Sequence, residues 1–145
     1  MRMSLLRRFL ALPPPGRRCT LEAALYLLAV RLAFDFLPLP RALRLLRVTQ
    51  GERSANLVVA SEAGEVGRSI ARAARHVPFR AACLQQAFAA LLMLRRRGLP
   101  ATVQLGLAKD GQGVLEAHAW TRCGKVPVTG VDAAKGFAAV AAFSA

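Results

Sequence analysis

The feature that most constrains the fold is a change of pattern at residues 98–100 (GLP). Before this point, apolar residues recur three and four positions apart, which is typical of helices. After it, short segments alternate apolar and polar residues and are separated by the glycine-bearing turns 110–113 and 123–125, as in an antiparallel meander. Four helices followed by three strands predict an α+β fold, with the helices packed on a small antiparallel sheet.

Capping and breaking residues set the expected bounds of the helices. Residues 13–16 (PPPG) separate a short basic leader from the first helix, for which Thr20 is the expected N-cap. Gly98 is placed to end the last helix, after three arginines that favour its C-terminus. Residues 49–60 are expected to be a loop, and residues 133–145 a short helix or a mobile tail. The four helices are expected at residues 21–39, 40–48, 61–76 and 80–97.

The first of these helices, residues 21–39, is apolar on nearly all sides. Glu22, Arg31 and Asp35 interrupt the run, whereas a membrane-spanning helix needs about 20 nearly uncharged residues. We therefore expect a helix that is buried or that lies on another hydrophobic surface, such as a membrane surface. Five large apolar residues repeat along it at helical spacing: Leu21, Leu25, Leu28, Leu32 and Phe36.

The composition allows a packed core and favours acidic partners. The chain has 145 residues, of which 54% are hydrophobic, which suits one domain with a core. It carries 21 basic and 8 acidic residues, for a net charge of +13 spread over the whole chain. Nucleic acid, an anionic membrane and acidic peptides all remain open as partners. A genome rich in G and C would produce the same arginine and alanine usage.

Cysteine usage and the N-terminus both favour the cytoplasm. Cys19, Cys83 and Cys123 are an odd number with no CxxC pair, which argues against a disulfide framework or a zinc site. The first residues begin like a signal peptide, but Arg7 and Arg8 break the apolar run and no cleavage site follows. We expect no cofactor and no metal.

Two residues could together form a nucleophilic site. Cys83 lies near the start of the fourth predicted helix, where unpaired N–H groups and Arg80 would stabilise a thiolate. His118 lies in the second predicted strand, and packing the helix on the sheet could bring it to Cys83. Asp132, after the third strand, could orient the imidazole, and Thr129 is a weaker choice. Alternatively, Cys83 is a buried core residue, His118 is structural, and Asp132 caps the following segment.

The order of these residues and of the segments around them is also that of a known family. Residues 80–130 contain a Cys-Leu helix start, a run ending in basic residues and RG-P, a Gly-containing strand, and AHAW with a following glycine. This pattern resembles the leader peptidases (B proteins) of lasso-peptide biosynthesis, which have the transglutaminase-like cysteine protease fold. The resemblance implies a Cys-His-Asp protease with Cys83 and His118 as nucleophile and base. The family's acid usually falls in the stretch that here reads VPVTG, and Asp132 comes slightly later.

The resemblance also implies a domain organisation and partners. It divides a single domain into a helical part (1–76), a transglutaminase-like, papain-like catalytic core (77–132) and a C-terminal tail (133–145). The substrate would be a ribosomally made precursor peptide. No winged-helix module is evident in residues 1–76, so a separate leader-recognition protein is expected, together with the ring-closing cyclase. Residues 21–39 are a candidate docking surface for one of these partners or for a membrane surface.

Two other functions remain open. The first is a non-enzymatic basic module that binds nucleic acid or an anionic membrane, in which Cys83 would be a core residue. One tryptophan and one tyrosine leave few aromatic side chains for base stacking, so nucleic acid is not expected as a partner. The second is acyl transfer to an amine, which would use the same cysteine and histidine.

Overall fold

All five α-helices of the described residues precede the last four strands, as the change of pattern predicts, and only the two-residue strand Thr49–Gln50 lies among them. The computed structural model describes residues 2–51 and 60–145, with side chains from residue 6 onward. The helices are α1 (Arg2–Ala11), α2 (Pro14–Phe36), α3 (Leu39–Leu45), α4 (Ala60–His76) and α5 (Cys83–Arg96). The strands are β1 (Thr49–Gln50), β2 (Thr102–Lys109), β3 (Leu115–Cys123), β4 (Val126–Thr129) and β5 (Ala138–Ser144), with a 3-10 helix (Asp132–Ala134) before β5. The α+β class is confirmed. Of the predicted loop at 49–60, residues 49 and 50 form β1 and residue 60 begins α4, so the prediction is wrong there, and residues 52–59 lie outside the described residues.

The strands form one antiparallel sheet in the order β1-β5-β2-β3-β4. The meander of β2, β3 and β4 is the one that the alternating pattern predicts. β2 and β3 pair without interruption from Thr102↔Arg122 to Lys109↔Leu115. Side chains therefore alternate regularly between the two faces of β3.

Residues 138–144 form β5 rather than a short helix or a mobile tail, so that prediction is wrong. Four alanines among these seven residues favour a helix by local propensity. The strand is selected instead by its partners, because β5 inserts between β1 and β2 and pairs with both. Phe143 anchors it, with its ring centroid 5.8 Å from that of Phe88 on α5. Such distant partners leave no local signal.

The hydrophobic core lies between α2, α4, α5 and one face of the sheet. These helices contact one another, α5 rests on β3, and α4 rests on β4. Leu27, Ile70, Phe88 and Val103 are all essentially inaccessible to solvent and come from α2, α4, α5 and β2. Full burial of side chains of this size contributes about 1.5–3 kcal/mol each.

α2 begins at Pro14, earlier than the sequence predicts. Pro14 and Pro15 occupy its first positions, where no backbone N–H is needed. Thr20 therefore lies inside the helix, and its prediction as the N-cap is wrong. Its hydroxyl donates to the carbonyl of Gly16 at 2.8 Å and accepts from Nη1 of Arg72 on α4 at 2.9 Å.

α2 has one buried and one exposed apolar face. Ala23, Leu27 and Val30 are fully buried. The five leucine and phenylalanine residues repeated at helical spacing lie on the other side, with Leu25 and Phe36 the most exposed at 68% and 79%. No helix in the described ranges is long and apolar enough to cross a membrane.

Ion pairs from Glu22, inside α2, join that helix to the end of α5. Oε2 of Glu22 lies 2.7 Å from Nη2 of Arg97, and its Oε1 lies 3.3 Å from Nη1 of Arg96. The hydrogen bond from Arg97 holds the pKa of Glu22 below its usual range, against the opposing effect of burial. The contact of Glu22 with Arg96 and Arg97 is the main ionic contact between α2 and α5.

α4 approaches the backbone of β4 at Gly67. A Cβ atom at Gly67 would lie 2.4 Å from the carbonyl oxygen of Val128, whereas one at Gly64 would meet only the end of the Arg68 side chain, at 3.2 Å. Glycine at position 67 therefore permits the helix–strand contact. Val128 is two residues before Gly130, so this contact also positions the chain that follows β4.

Candidate active site

Cys83 is the first residue of α5. The preceding residue, Ala82, has extended backbone angles and provides no side-chain cap, so the first N–H groups of the helix have no acceptor from that position. The thiol is half-buried and is not in a disulfide. A cysteine at such a helix start faces a positive partial charge, and nearby N–H groups could stabilise an oxyanion.

The segment that leads into Cys83 is held by side chains on both sides of it. Nη1 of Arg31 on α2 donates to the carbonyl of Arg80 at 2.6 Å. The same guanidinium lies 5.4 Å from the centroid of the Phe79 ring. Nε2 of Gln86 donates to the carbonyl of Ala81 at 2.8 Å. The backbone position of the thiol is therefore defined by contacts from α2 and from α5 itself.

His118 lies in β3, and its ring is held by two aromatic side chains. The Trp120 ring stacks with it at 5.9 Å between centroids, and the Phe137 ring lies at 5.4 Å. Trp120 is itself anchored by a hydrogen bond from Nε1 to Oε1 of Gln104 at 2.7 Å. These contacts restrict the orientation of the imidazole.

A backbone carbonyl assigns the tautomer of His118. Nε2 lies 2.8 Å from the carbonyl oxygen of Gly130. A carbonyl can only accept a hydrogen bond, so Nε2 carries the proton and Nδ1 of the neutral ring carries the free electron pair. Nδ1 is therefore the nitrogen that can act as a base.

Gly130 could not be replaced without disturbing this contact. Its φ of +66° favours glycine. A Cβ atom there would lie 2.8 Å from the carbonyl oxygen of Ala119 and 3.0 Å from Nε2 of His118. Gly130 is the last residue of the stretch VPVTG. The resemblance to the leader peptidases implies an acidic side chain in this stretch. A backbone acceptor has no side-chain signature, so the sequence does not reveal it.

The two other candidates for orienting His118 lie close by but do not contact it. Asp132 is the exposed first residue of the 3-10 helix rather than the end of a strand. Its carboxylate makes no hydrogen bond or ion pair with any residue that the structure describes. The hydroxyl of Thr129 is buried and has no hydrogen-bond partner within the described ranges. The carbonyl oxygen of Gly130 occupies the position beside Nε2 of His118.

The first turns of α5 pack against β3, but the thiol and the imidazole are not joined. The Thr121 hydroxyl donates to the carbonyl of Ala87 at 2.9 Å, and Ala87 is one turn after Cys83. Side chains alternate along β3, so His118 points to the face opposite Thr121 and therefore away from α5. No hydrogen bond links Cys83 to His118 in this conformation. The structure thus brings the two elements together without bringing the two reactive groups into contact.

The other two cysteines are buried in positions unsuited to attack on a substrate. Cys19 lies within α2, where its sulfur is 3.7 Å from Nη2 of Arg97. Cys123 donates to the carbonyl of Pro100 at 3.3 Å, and burial raises the pKa of its thiol. Among the described residues, no three His, Cys, Asp or Glu side chains form a group that could hold a metal ion.

Comparison with known families agrees with this architecture. A family model described as Transglutaminase-like superfamily matches residues 25–142. The match runs from α2 into β5, so it includes both Cys83 and His118. No curated protein and no solved structure shows significant similarity to the chain.

Proposed function

Because the chain belongs to the transglutaminase-like superfamily, we propose that it is a cysteine peptidase that removes the leader from a ribosomally made lasso-peptide precursor. The superfamily generally includes cysteine peptidases and transferases. The observation that carries the proposal is the state of His118, whose Nε2 proton is engaged by Gly130 and whose Nδ1 is left as the base. Cys83 at the start of α5 supplies the nucleophile.

The mechanism follows from these roles. The sulfur of Cys83 attacks the scissile carbonyl carbon, and its proton passes to Nδ1 of His118. That proton is then given to the leaving amine, which releases one peptide and leaves an acyl-enzyme. Water, activated by the same nitrogen, hydrolyses the thioester and restores the thiol. Because His118 points away from α5 and no hydrogen bond joins it to Cys83 in this conformation, the proposed mechanism requires a second conformation in which the thiol and the imidazole meet.

The decisive experiment is cleavage of the precursor followed by mass spectrometry. The chain is incubated with the precursor peptide, with and without the leader-recognition protein. Wild type should give the masses of the separate leader and core peptides, whereas Cys83→Ala should leave the precursor intact. Cys19→Ala is the matched control and should still cut. Cleavage by a folded Cys83→Ala protein would refute the assignment.

The third member of the site can be tested in the same assay. In the proposed triad this role belongs to Asp132, whereas the carbonyl of Gly130 is the observed partner of His118. Asp132→Asn should lower the rate by about 10⁴-fold if the carboxylate moves onto the ring during turnover. A rate close to that of wild type would assign the orienting role to the carbonyl alone.

Acyl transfer would use the same two residues and differs only in the second step. Adding a primary amine to the reaction distinguishes the two outcomes by mass. Hydrolysis leaves a free carboxylate on the released peptide, and transfer leaves an amide that contains the added amine. We propose hydrolysis, and an amide product would assign the chain to the transferases.

The exposed face of α2 supports the proposed partners. Leu21, Leu25, Leu28, Leu32 and Phe36 are between 41% and 79% exposed and form a continuous apolar stripe. Exposed stripes of this kind are typical of docking surfaces. We propose that the leader-recognition protein or the cyclase docks there, and that a membrane surface is the alternative. Three free cysteines suit a reducing compartment, so we place the activity in the cytoplasm.

The non-enzymatic alternative makes a different prediction in solution. A basic binding module would bind nucleic acid or anionic vesicles in a salt-dependent manner. Its binding would be unaffected by Cys83→Ala, and no precursor would be cut.

A further inference from the structure

A cationic cleft lies where α1 meets α2 and the end of α4. Its volume is about 440 Å³. Basic side chains line it from two helices, with Arg8 on α1 and Arg72, Arg75 and His76 on α4. The Thr20 hydroxyl on α2 completes its polar lining.

The positive charge of this cleft is only partly compensated. Arg72 donates to Thr20 and lies 3.7 Å from Glu65, which also pairs with Arg68 at 3.0 Å. Arg8 and Arg75 form no ion pair with any residue that the structure describes. No carboxylate from the described part of the chain lines the cleft. The last turns of α1 and α4 both favour cations by their dipoles, and Arg8 and Arg75 lie in these turns. The two helix ends bring both side chains to the same cleft.

An apolar groove continues from the cleft. The groove has a volume of about 450 Å³ and shares Phe9, Thr20 and His76 with the cleft. It continues along Leu21 and Pro78. A ligand that filled both would need negative charge at one end and apolar side chains at the other.

The groove leads along the chain towards Cys83. Pro78 is followed by Phe79 and Arg80, which are fixed by Arg31 of α2. Along α2, the groove lies at residues 20–24 and this anchor at residue 31, a separation of about 10–16 Å at 1.5 Å per residue. Roughly three to five residues of extended peptide would cover that distance.

We propose that the cleft and its groove bind an acidic, partly apolar segment of the peptide substrate and direct the following residues towards Cys83. The identity of the bound peptide as the substrate rests on the proposed function. Carboxylates on the peptide pair with Arg8 and Arg75, and its apolar side chains enter the groove beside Leu21 and Pro78. Several charged contacts of this kind give orientation and a salt-dependent affinity.

Binding can be measured without turnover in the full-length Cys83→Ala protein. The probe is a fluorescein-labelled 12-residue peptide of alternating glutamate and leucine, and its control has glutamine at every glutamate. Fluorescence anisotropy should show binding of the glutamate peptide and much weaker binding of the glutamine peptide. Arg8→Gln and Arg75→Gln should each reduce the affinity about two- to fivefold. Arg7→Gln, one residue away on α1 but outside the cleft, should leave it unchanged.

The outcomes separate this proposal from the proposed function. Equal binding of the two peptides, or an equal loss with Arg7→Gln and Arg8→Gln, would overturn it. Displacement by phosphatidylglycerol vesicles that depends on Arg8 and Arg75 would overturn it in favour of a lipid surface. Efficient precursor cleavage without peptide binding would overturn the cleft proposal alone. Peptide binding by a wild-type chain that cuts no precursor would support the cleft and refute only the peptidase.

Discussion

The contact between α4 and β4 at Gly67 allows a stability prediction with an internal control. Gly67→Ala would add a Cβ atom 2.4 Å from the carbonyl oxygen of Val128. An ordinary carbon–oxygen contact is about 3.3 Å, so α4 and β4 must separate by roughly 1 Å. The obstacle is backbone and cannot rotate away as a side chain would.

Two opposing effects set the magnitude. Alanine is favoured over glycine in a helix interior by about 1 kcal/mol. Overpacking of this kind costs up to about 3 kcal/mol, so we expect Gly67→Ala to lower the free energy of unfolding by about 2 kcal/mol. Gly64→Ala gains the same helix propensity and meets only the flexible end of Arg68. It should raise the free energy of unfolding by about 0.5–1 kcal/mol.

Urea unfolding of the two variants beside wild type measures the difference. Both substitutions should leave the denaturant slope unchanged, so the shift of the midpoint reports stability. The two variants should differ by about 2.5–3 kcal/mol. A Gly67→Ala protein as stable as Gly64→Ala would show that the close contact at Val128 does not restrain α4.

Two further predictions concern ionisable groups. Glu22→Gln should lower the free energy of unfolding by about 1 kcal/mol at neutral pH. Because Arg97 lowers the pKa of Glu22 in the folded state, this contribution is present above the unfolded pKa and is lost as the pH falls through the folded pKa. The free energies of unfolding of wild type and variant should therefore begin to converge as the pH falls below about 4.3, the ordinary pKa of glutamate, and an undiminished gap in acid would contradict the pairing. Iodoacetamide should modify Cys83 at least about tenfold faster than Cys19 or Cys123, which are 6% and 0% exposed. Peptide mass mapping reads this order, and equal labelling of Cys123 would contradict the burial.

Nearby residues in the sequence are sufficient to predict the helix that begins at Cys83, the strand that contains His118, and the helix α4. The helix ending near His76 and the one ending before Gly98 depend on apolar periodicity and on breakers next to it in the sequence. The β2–β3–β4 meander depends on alternation and on glycine-bearing turns. In each case the determining residues are neighbours in the chain, so the pattern alone predicts the element.

What the sequence did not predict depends on distant or backbone partners. β5 is selected by β1, β2 and Phe88, and nothing within residues 138–144 indicates this. Thr20 is the expected cap because the three prolines at 13–15 resemble a break, although proline is also suited to begin a helix. Similarly, the partner of His118 in the structure is the backbone carbonyl of Gly130, and every residue has a carbonyl.

The hydrogen bond from His118 to the carbonyl of Gly130 has a consequence for mutational studies. Replacing a residue changes its side chain and leaves its carbonyl in place. A scan that substitutes each residue of β4 and the following turn would therefore register this contact only indirectly, through variants that distort the turn. Insertions or deletions between Thr129 and the 3-10 helix would move the Gly130 oxygen itself. Such changes would test directly whether this oxygen orients His118.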